Sequence, residues 1–193
     1  MNYDSLAETI QNLTTWILPL LFAITLHEAA HAFTAARLGD DTALRLGRVT
    51  LNPLKHIDPI GTVLLPGILL LLQSPFLLGW AKPVPVNFGR LRRPKIGMAI
   101  VAAAGPGVNI LLAIACCLIL WLLPVTPSLA QLWLYSNLQN AILINVFLAV
   151  FNLLPVPPLD GGRILVGILP RDLSNRVARL EPYGFFLIIG LLF

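Results

Sequence analysis

The residues best suited to chemistry lie near the start of the chain, in the run His27-Glu28-Ala29-Ala30-His31. On a helix, positions i and i+4 share one face, so both imidazoles can reach a single zinc ion. The glutamate beside the first histidine can then reach a water molecule at that ion. Because this polar cluster lies within an apolar segment, it would be costly without a partner. The pattern therefore predicts that His27 and His31 bind zinc and that Glu28 is the catalytic base.

A catalytic zinc usually takes three protein ligands and keeps one position open. His56 is the only other histidine, but it lies in the polar stretch Leu51–Pro59 and is better explained as a loop or interface residue. Asp160 is the better third ligand. It follows the proline-broken end of an apolar helix, and the two glycines after it permit a tight backbone. Asp-Gly is also ordinary turn chemistry, so this assignment depends on the presence of the HExxH motif elsewhere in the same apolar chain.

The composition excludes an ordinary soluble domain. Of 193 residues, 57% are hydrophobic and only 11% are charged, whereas soluble domains carry about 25% charged residues. The mean hydropathy is +0.82. The net charge of +4 does not indicate nucleic acid, because the basic residues flank apolar runs as loops do in membrane proteins. We expect one domain over residues 1–193, an all-α polytopic membrane protein in a lipid bilayer.

The apolar runs expected to form the helical bundle are Trp16–Ala36, Ile60–Trp80, Ile96–Leu123 and Asn137–Leu154. A last apolar run, Tyr183–Phe193, is too short to span, and we expect that the chain was cut within its final transmembrane helix. Two extended stretches, Gly47–Asn52 and Ala81–Asn87, are expected to form a small membrane-associated β element. Such an edge could pair with an unwound substrate segment, whose backbone groups need partners in lipid.

Three blocks of sequence resemble the site-2 protease family of intramembrane zinc metalloproteases, in its small prokaryotic form without a PDZ domain. They are HEAAH at His27–His31, AAAGPGVN at Ala102–Asn109 and NLLPVPPLDGGR at Asn152–Arg163. The resemblance covers residues 20 to 165, with the blocks in the family's order. Phe88 departs from the family, which commonly has a proline after the block that ends at Asn87.

The resemblance implies zinc as cofactor, with His27, His31 and Asp160 as its ligands and Glu28 as the catalytic glutamate. It also implies that Asn152 lies near the substrate backbone. The implied activity is hydrolysis of peptide bonds in or near transmembrane segments, as in regulated intramembrane proteolysis. The implied partners are a transmembrane protein or signal-peptide substrate and the lipid bilayer. Asn109, from the middle block, is better explained as a helix-packing residue.

Two other functions fit a membrane protein with a buried metal site. A metal transporter would usually show half-repeats or ionisable residues along a path, and this chain shows one compact cluster. A non-catalytic membrane scaffold would not need Glu28, which is present.

The distribution of basic residues predicts the topology. All 13 Lys and Arg residues fall into three groups, after the first apolar run, between Lys82 and Lys95, and after the Asn137–Leu154 run. The positive-inside rule places these groups in the cytoplasm and the N-terminus outside. Two groups flank the Ile60–Trp80 run, so we expect this run to be re-entrant or interfacial. The active site is then expected toward the cytoplasmic side of the cell membrane.

Overall fold

The computed structural model describes residues 3–72, 79–124 and 128–184, together with Leu187 and Gly190. The described part is built from seven α-helices, joined by short 3-10 turns and by one π-helical turn, Pro59–Leu64. The helices are α1 (Tyr3–Arg37), α2 (Thr42–Arg45), α3 (Leu65–Leu71), α4 (Pro94–Leu122), α5 (Leu129–Asn152), α6 (Asp160–Ile168) and α7 (Arg171–Ala178).

Three of these helices are long and apolar enough to cross a membrane, over Gln11–Arg37, Pro94–Leu122 and Gln131–Asn152. Their packing is that of a membrane protein. The buried apolar residues are mostly alanines, such as Ala23, Ala102 and Ala149, which let α1, α4 and α5 approach closely. Large apolar side chains such as Leu111 and Phe147 point outward, each more than 60% exposed. The chain is therefore a membrane protein.

The helix ends differ from the expected ones where local capping decides them. Helix α5 begins at Leu129 rather than near Asn137, because Ser128 and Gln131 form a capping box that starts the helix early. The stretch Gly162–Glu181, which lies between two of the apolar runs, contains most of α6 and all of α7. Both short helices are strongly amphipathic. Their apolar residues are concentrated on one side of the helix but form only short runs along the chain, so a search for long continuous apolar runs does not find them.

The predicted β element is wrong, since the described residues contain no strand. The Ala81–Asn87 stretch is extended, but Pro83 and Pro85 have no N–H to donate to a ladder. Among its remaining donors, the N–H groups of Val84 and Asn87 bond to the side chains of Glu28 and Asp40, and the N–H of Lys82 donates to the carbonyl of His56. The Gly47–Asn52 stretch instead bends, with side-chain oxygens of its own residues accepting from the backbone that follows.

The two ends of the apolar Ile60–Trp80 run lie side by side. The backbone N–H of Trp80 donates to the carbonyl of Gly61 at 3.1 Å, and the hydroxyl of Thr62 donates to the carbonyl of Trp80 at 2.8 Å. Residues 73–78, within this run, lie outside the described residues. The described ends of the run are therefore neighbours in the fold.

Helix α6 presses against the chain before it and against α4, and this packing fixes Asp160 at its first residue. A Cβ on Gly161 would collide with the backbone of Leu153, and one on Gly162 with the backbone around Pro157. A Cβ on Gly167 would meet Ala99 at 2.6 Å. Glycine is needed at these contacts because backbone meets backbone or a neighbouring helix.

The expected truncation of the Tyr183–Phe193 run concerns mostly residues outside the described ones.

Candidate metal centre

The side chains of His27, His31 and Asp160 meet inside the bundle, although Asp160 is more than 120 residues distant in sequence. The two imidazole Nε2 atoms are 3.0 Å apart. The Oδ2 atom of Asp160 lies 3.2 Å from Nε2 of His27 and 3.3 Å from Nε2 of His31. All three residues are buried, at most 8% exposed. The three atoms thus form a nearly equilateral triangle.

This triangle is close to the size that a tetrahedral zinc ion needs, with edges at or slightly below the expected spacing. Zinc binds histidine nitrogen and carboxylate oxygen at about 2.0–2.2 Å, so two ligand atoms at the tetrahedral angle lie about 3.3–3.5 Å apart. The Oδ2 atom of Asp160 is also buried without a hydrogen-bond partner among the described residues. A buried carboxylate oxygen in this position is costly unless a cation or proton neutralises it. The donor set therefore fits zinc.

Hydrogen bonds at the other ring nitrogens orient both imidazoles. The Nδ1 atom of His31 lies 2.7 Å from the carbonyl oxygen of Val101. A carbonyl only accepts, so Nδ1 carries the hydrogen and a neutral His31 presents the lone pair of Nε2 to the centre. The Nδ1 atom of His27 lies 2.6 Å from Oδ1 of Asn109. The same tautomer follows for His27.

Asn109 does more than pack helices, which the sequence analysis did not foresee. Its Nδ2 donates to Oδ1 of Asn145 at 2.7 Å and to the carbonyl of Ala23 at 3.3 Å, which leaves Oδ1 to face His27. The side chain is fully buried and links α1, α4 and α5. The only signal for this role in the sequence is the position of Asn109 at the end of the AAAGPGVN block.

Gly105, in the same block, allows α4 to approach the metal ligands. A Cβ at this position would lie 2.5 Å from Nε2 of His31 and 2.6 Å from Nε2 of His27. Those are the atoms that face the candidate metal position. By contrast, a Cβ on Gly107 would meet nothing within 4 Å. The candidate metal centre therefore requires glycine at position 105. Gly107, on the same helix, has room for a side chain and serves as a matched control.

Glu28 is half-buried beside the centre, on α1. Its Oε2 accepts a hydrogen bond of 2.8 Å from the backbone N–H of Val84. The extended Ala81–Asn87 stretch thus passes next to the glutamate, a contact between residues 56 positions apart that no local sequence pattern reveals.

The other polar residues considered from the sequence are not members of the triangle. Asn152, at the end of α5, donates its side-chain amide to the carbonyl of Leu148 at 3.0 Å. Thr25 and Asn145 are buried, and Asn145 is engaged with Asn109. His56 is buried in its loop, with Nε2 3.0 Å from the carbonyl of Thr50.

A bundle of membrane-length apolar helices that brings HExxH residues on α1 together with a distant aspartate is the arrangement expected of a zinc metalloprotease in a membrane protein. Comparison with known proteins agrees. Residues 126–191 match the sequence profile of Peptidase family M50. The chain is 38% identical over 179 residues to the Bacillus subtilis protein named "Putative zinc metalloprotease YwhC", covering 91% of this chain and 78% of that relative.

Two mycobacterial relatives carry the name "Putative zinc metalloprotease Rip2". The one from Mycolicibacterium smegmatis is 33% identical over 172 residues, covering 89% of this chain and 64% of its own length. The one from Mycobacterium tuberculosis strain H37Rv is also 33% identical over 172 residues, covering 89% and 63%. No solved structure matches the chain. The chain belongs to Peptidase family M50, the site-2 protease family, and is a zinc metalloprotease.

The close approach of Gly105 yields a prediction about metal content. We expect Gly105→Ala to lose most of its bound zinc, because the added methyl group would occupy the space between the two Nε2 atoms and the ion. Gly107→Ala is the matched control and is expected to keep a full complement. Elemental analysis of the two purified variants checks this. Full zinc occupancy in Gly105→Ala would show that α4 does not limit the centre as described.

Proposed function

We propose that the protein is an intramembrane endopeptidase that hydrolyses peptide bonds in or near the transmembrane segments of other membrane proteins. The observation that carries the proposal is the buried triangle of His27, His31 and Asp160 with Glu28 beside it, inside a bundle of membrane-spanning helices. A polar cluster of this kind is expensive in lipid unless it serves a function. Transmembrane proteins and signal peptides are the substrates that such a location favours.

In this proposal His27, His31 and Asp160 hold the zinc, which when bound supplies a Lewis acid that acidifies water and polarises a carbonyl. Glu28 takes a proton from the attacking water and passes it to the leaving amine. Its Oε2 is held by Val84 N–H, which leaves Oε1 to do this. Asn152 is proposed to contact the substrate backbone through its side-chain amide.

An apolar groove between α1 and α4, lined by none of His27, His31, Asp160 and Glu28, supports a substrate held in the membrane. The groove has a volume of about 870 Å³ and opens at the protein surface. One wall is a face of α1 that includes Ala29 and Ala30, the two x positions of the HExxH motif, and Phe33 beyond it. The opposite wall is α4 near Gly107, and Val49–Leu51 closes one end. A groove with such walls suits apolar side chains of a substrate segment.

The same end of the bundle gathers the basic groups, which supports a cytoplasmic site. The backbone N–H of Arg92 donates to the carbonyl of Leu38, joining the start of α4 to the end of α1. The ammonium of Lys95 contacts the carbonyl of Leu169, which joins the start of α4 to the end of α6. All three basic groups therefore meet at one end, and the positive-inside rule makes that end cytoplasmic. The N-terminus is then outside.

We expect Glu28→Gln to keep its zinc and to lose cleavage. The amide is nearly isosteric with the carboxylate but cannot accept the proton from water. The measurement pairs elemental analysis with cleavage of single-span membrane proteins and signal peptides reconstituted in the same vesicles. Substrates identified by trapping on the Glu28→Gln protein in native membranes extend the panel. Cleavage within about tenfold of wild type would mean that Glu28 is not the base.

The paired ends of the Ile60–Trp80 run predict that this run does not cross the membrane. A single cysteine at position 55 and one at position 90, each in a background lacking Cys116 and Cys117, are expected to react with an impermeant thiol reagent from the same, cytoplasmic side. Labelling in sealed membranes of each orientation makes the test. Reaction of the two positions from opposite sides would contradict the re-entrant arrangement.

A further inference from the structure

The extended stretch that reaches Glu28 is held in place by two buried charged residues outside the metal centre. We call residues Lys82–Asn87 the strap. At its end, the backbone N–H of Asn87 donates to Oδ2 of Asp40 at 2.6 Å. At its start, the guanidinium of Arg48 donates to the carbonyl of Lys82 at 2.7 Å. Asp40 is fully buried and Arg48 is 7% exposed.

Asp40 is arranged to hold the strap firmly. Its Oδ1 accepts from the backbone N–H of Thr42 at 3.1 Å and from the hydroxyl of the same residue at 2.5 Å, so the carboxylate cannot turn. Burial alone would raise the pKa of Asp40, but these bonds and the bond from Asn87 outweigh burial and hold the pKa below its usual range. The carboxylate is therefore charged, and its bond to Asn87 is of the stronger, charge-assisted kind.

The strap is stiff, so the bond that fixes Asn87 also fixes the part of the strap that contacts Glu28. Its prolines, Pro83 and Pro85, fix their own backbone angles and favour extended geometry in the residues before them. Val84 lies between the prolines, three residues before Asn87, and its N–H meets Oε2 of Glu28 at 2.8 Å. Beyond Val84, the side chain of Val86 packs against the small apolar cluster of Ala35, Leu91 and Val101.

We propose that Asp40 is a positioning residue for the hydrolysis. By accepting the hydrogen bond from Asn87 it holds the strap in the position in which the N–H of Val84 bonds to the carboxylate of Glu28 and orients it. The inference rests on the proposed function, in which Glu28 is the base. With the strap in register, Oε2 is occupied and Oε1 faces the reaction. Without the anchor at Asn87, the Glu28 side chain gains rotamers that do not face the reaction, which lowers kcat more than it changes KM.

The test compares Asp40→Asn with Asp41→Asn. Asparagine keeps the shape of aspartate but has only one acceptor oxygen. Because Asn87 and Thr42 donate to different oxygens of Asp40, one of these two contacts is lost in the variant. Asp41 is the matched control, because it is a neighbouring carboxylate that is exposed and pairs with Arg45 and Arg90 at the surface. Such surface pairs contribute little.

We expect Asp40→Asn to keep its zinc and to lower kcat by about tenfold to a hundredfold on the reconstituted membrane protein that wild type cleaves fastest. Hydrogen–deuterium exchange of the peptide that contains the strap is expected to become faster in Asp40→Asn. Because prolines carry no amide hydrogen, that signal reports mainly on Lys82, Val84, Val86 and Asn87. Asp41→Asn is expected to match wild type in both measurements.

Suppose that the wild-type protein cleaves its substrate. An unchanged kcat in Asp40→Asn, or unchanged hydrogen–deuterium exchange of its strap, would then overturn the role of Asp40 and leave the proposed function standing. Absence of cleavage by the wild-type protein would instead count against the proposed function, while the exchange comparison would still report on the bond between Asp40 and Asn87.

If Asp40→Asn fails to fold or loses zinc, the Thr42→Val variant is used for the same two measurements. It removes one hydrogen bond to the same carboxylate, and we expect a smaller loss of kcat with faster strap exchange. Full activity and full protection in Thr42→Val would overturn the inference.

Discussion

Two imidazole nitrogens and a carboxylate oxygen face one another within 3.3 Å in the interior of an apolar helical bundle, and the rest of the structure depends on this contact. Both imidazoles donate from Nδ1 to fixed acceptors and so turn the lone pairs of Nε2 toward each other. Lone pairs so close to a carboxylate repel unless a cation lies between them. A zinc ion at this point would satisfy all three atoms at once, and its binding energy would hold together elements that are otherwise far apart in the chain.

The contact also explains why small residues recur where the helices meet. Helix α4 must bring the carbonyl of Val101 and the side chain of Asn109 to the histidines, which requires Gly105 between them. Helix α6 must bring Asp160 to the same point, which requires glycine at two positions packed against the turn before it. Lipid provides no hydrophobic force to press helices together, so close approach and interhelical hydrogen bonds stabilise the bundle instead.

Features that depend on local spacing could be predicted from the sequence. The HExxH run places two histidines on one face of any helix, and the three long apolar runs that form α1, α4 and α5 are visible without a structure. Asp160 could be proposed as third ligand from the helix end before it and the glycines after it, and the family resemblance implies the same role. The Val84–Glu28 and Asn109–His27 bonds join residues 56 and 82 positions apart, and no periodicity encodes them. The β element failed because prolines and side-chain acceptors removed the ladder's donors, a tertiary effect.

The most direct test of the account is X-ray absorption at the zinc edge of the purified protein. The account predicts one zinc per chain, with two imidazole nitrogens and a carboxylate oxygen at about 2.0–2.2 Å and no sulfur ligand. Replacing Asp160 with alanine should remove the carboxylate contribution or the metal itself, while the Cys116 and Cys117 thiols should contribute in neither protein. A sulfur shell at about 2.3 Å, or an unchanged spectrum in Asp160→Ala, would contradict the centre.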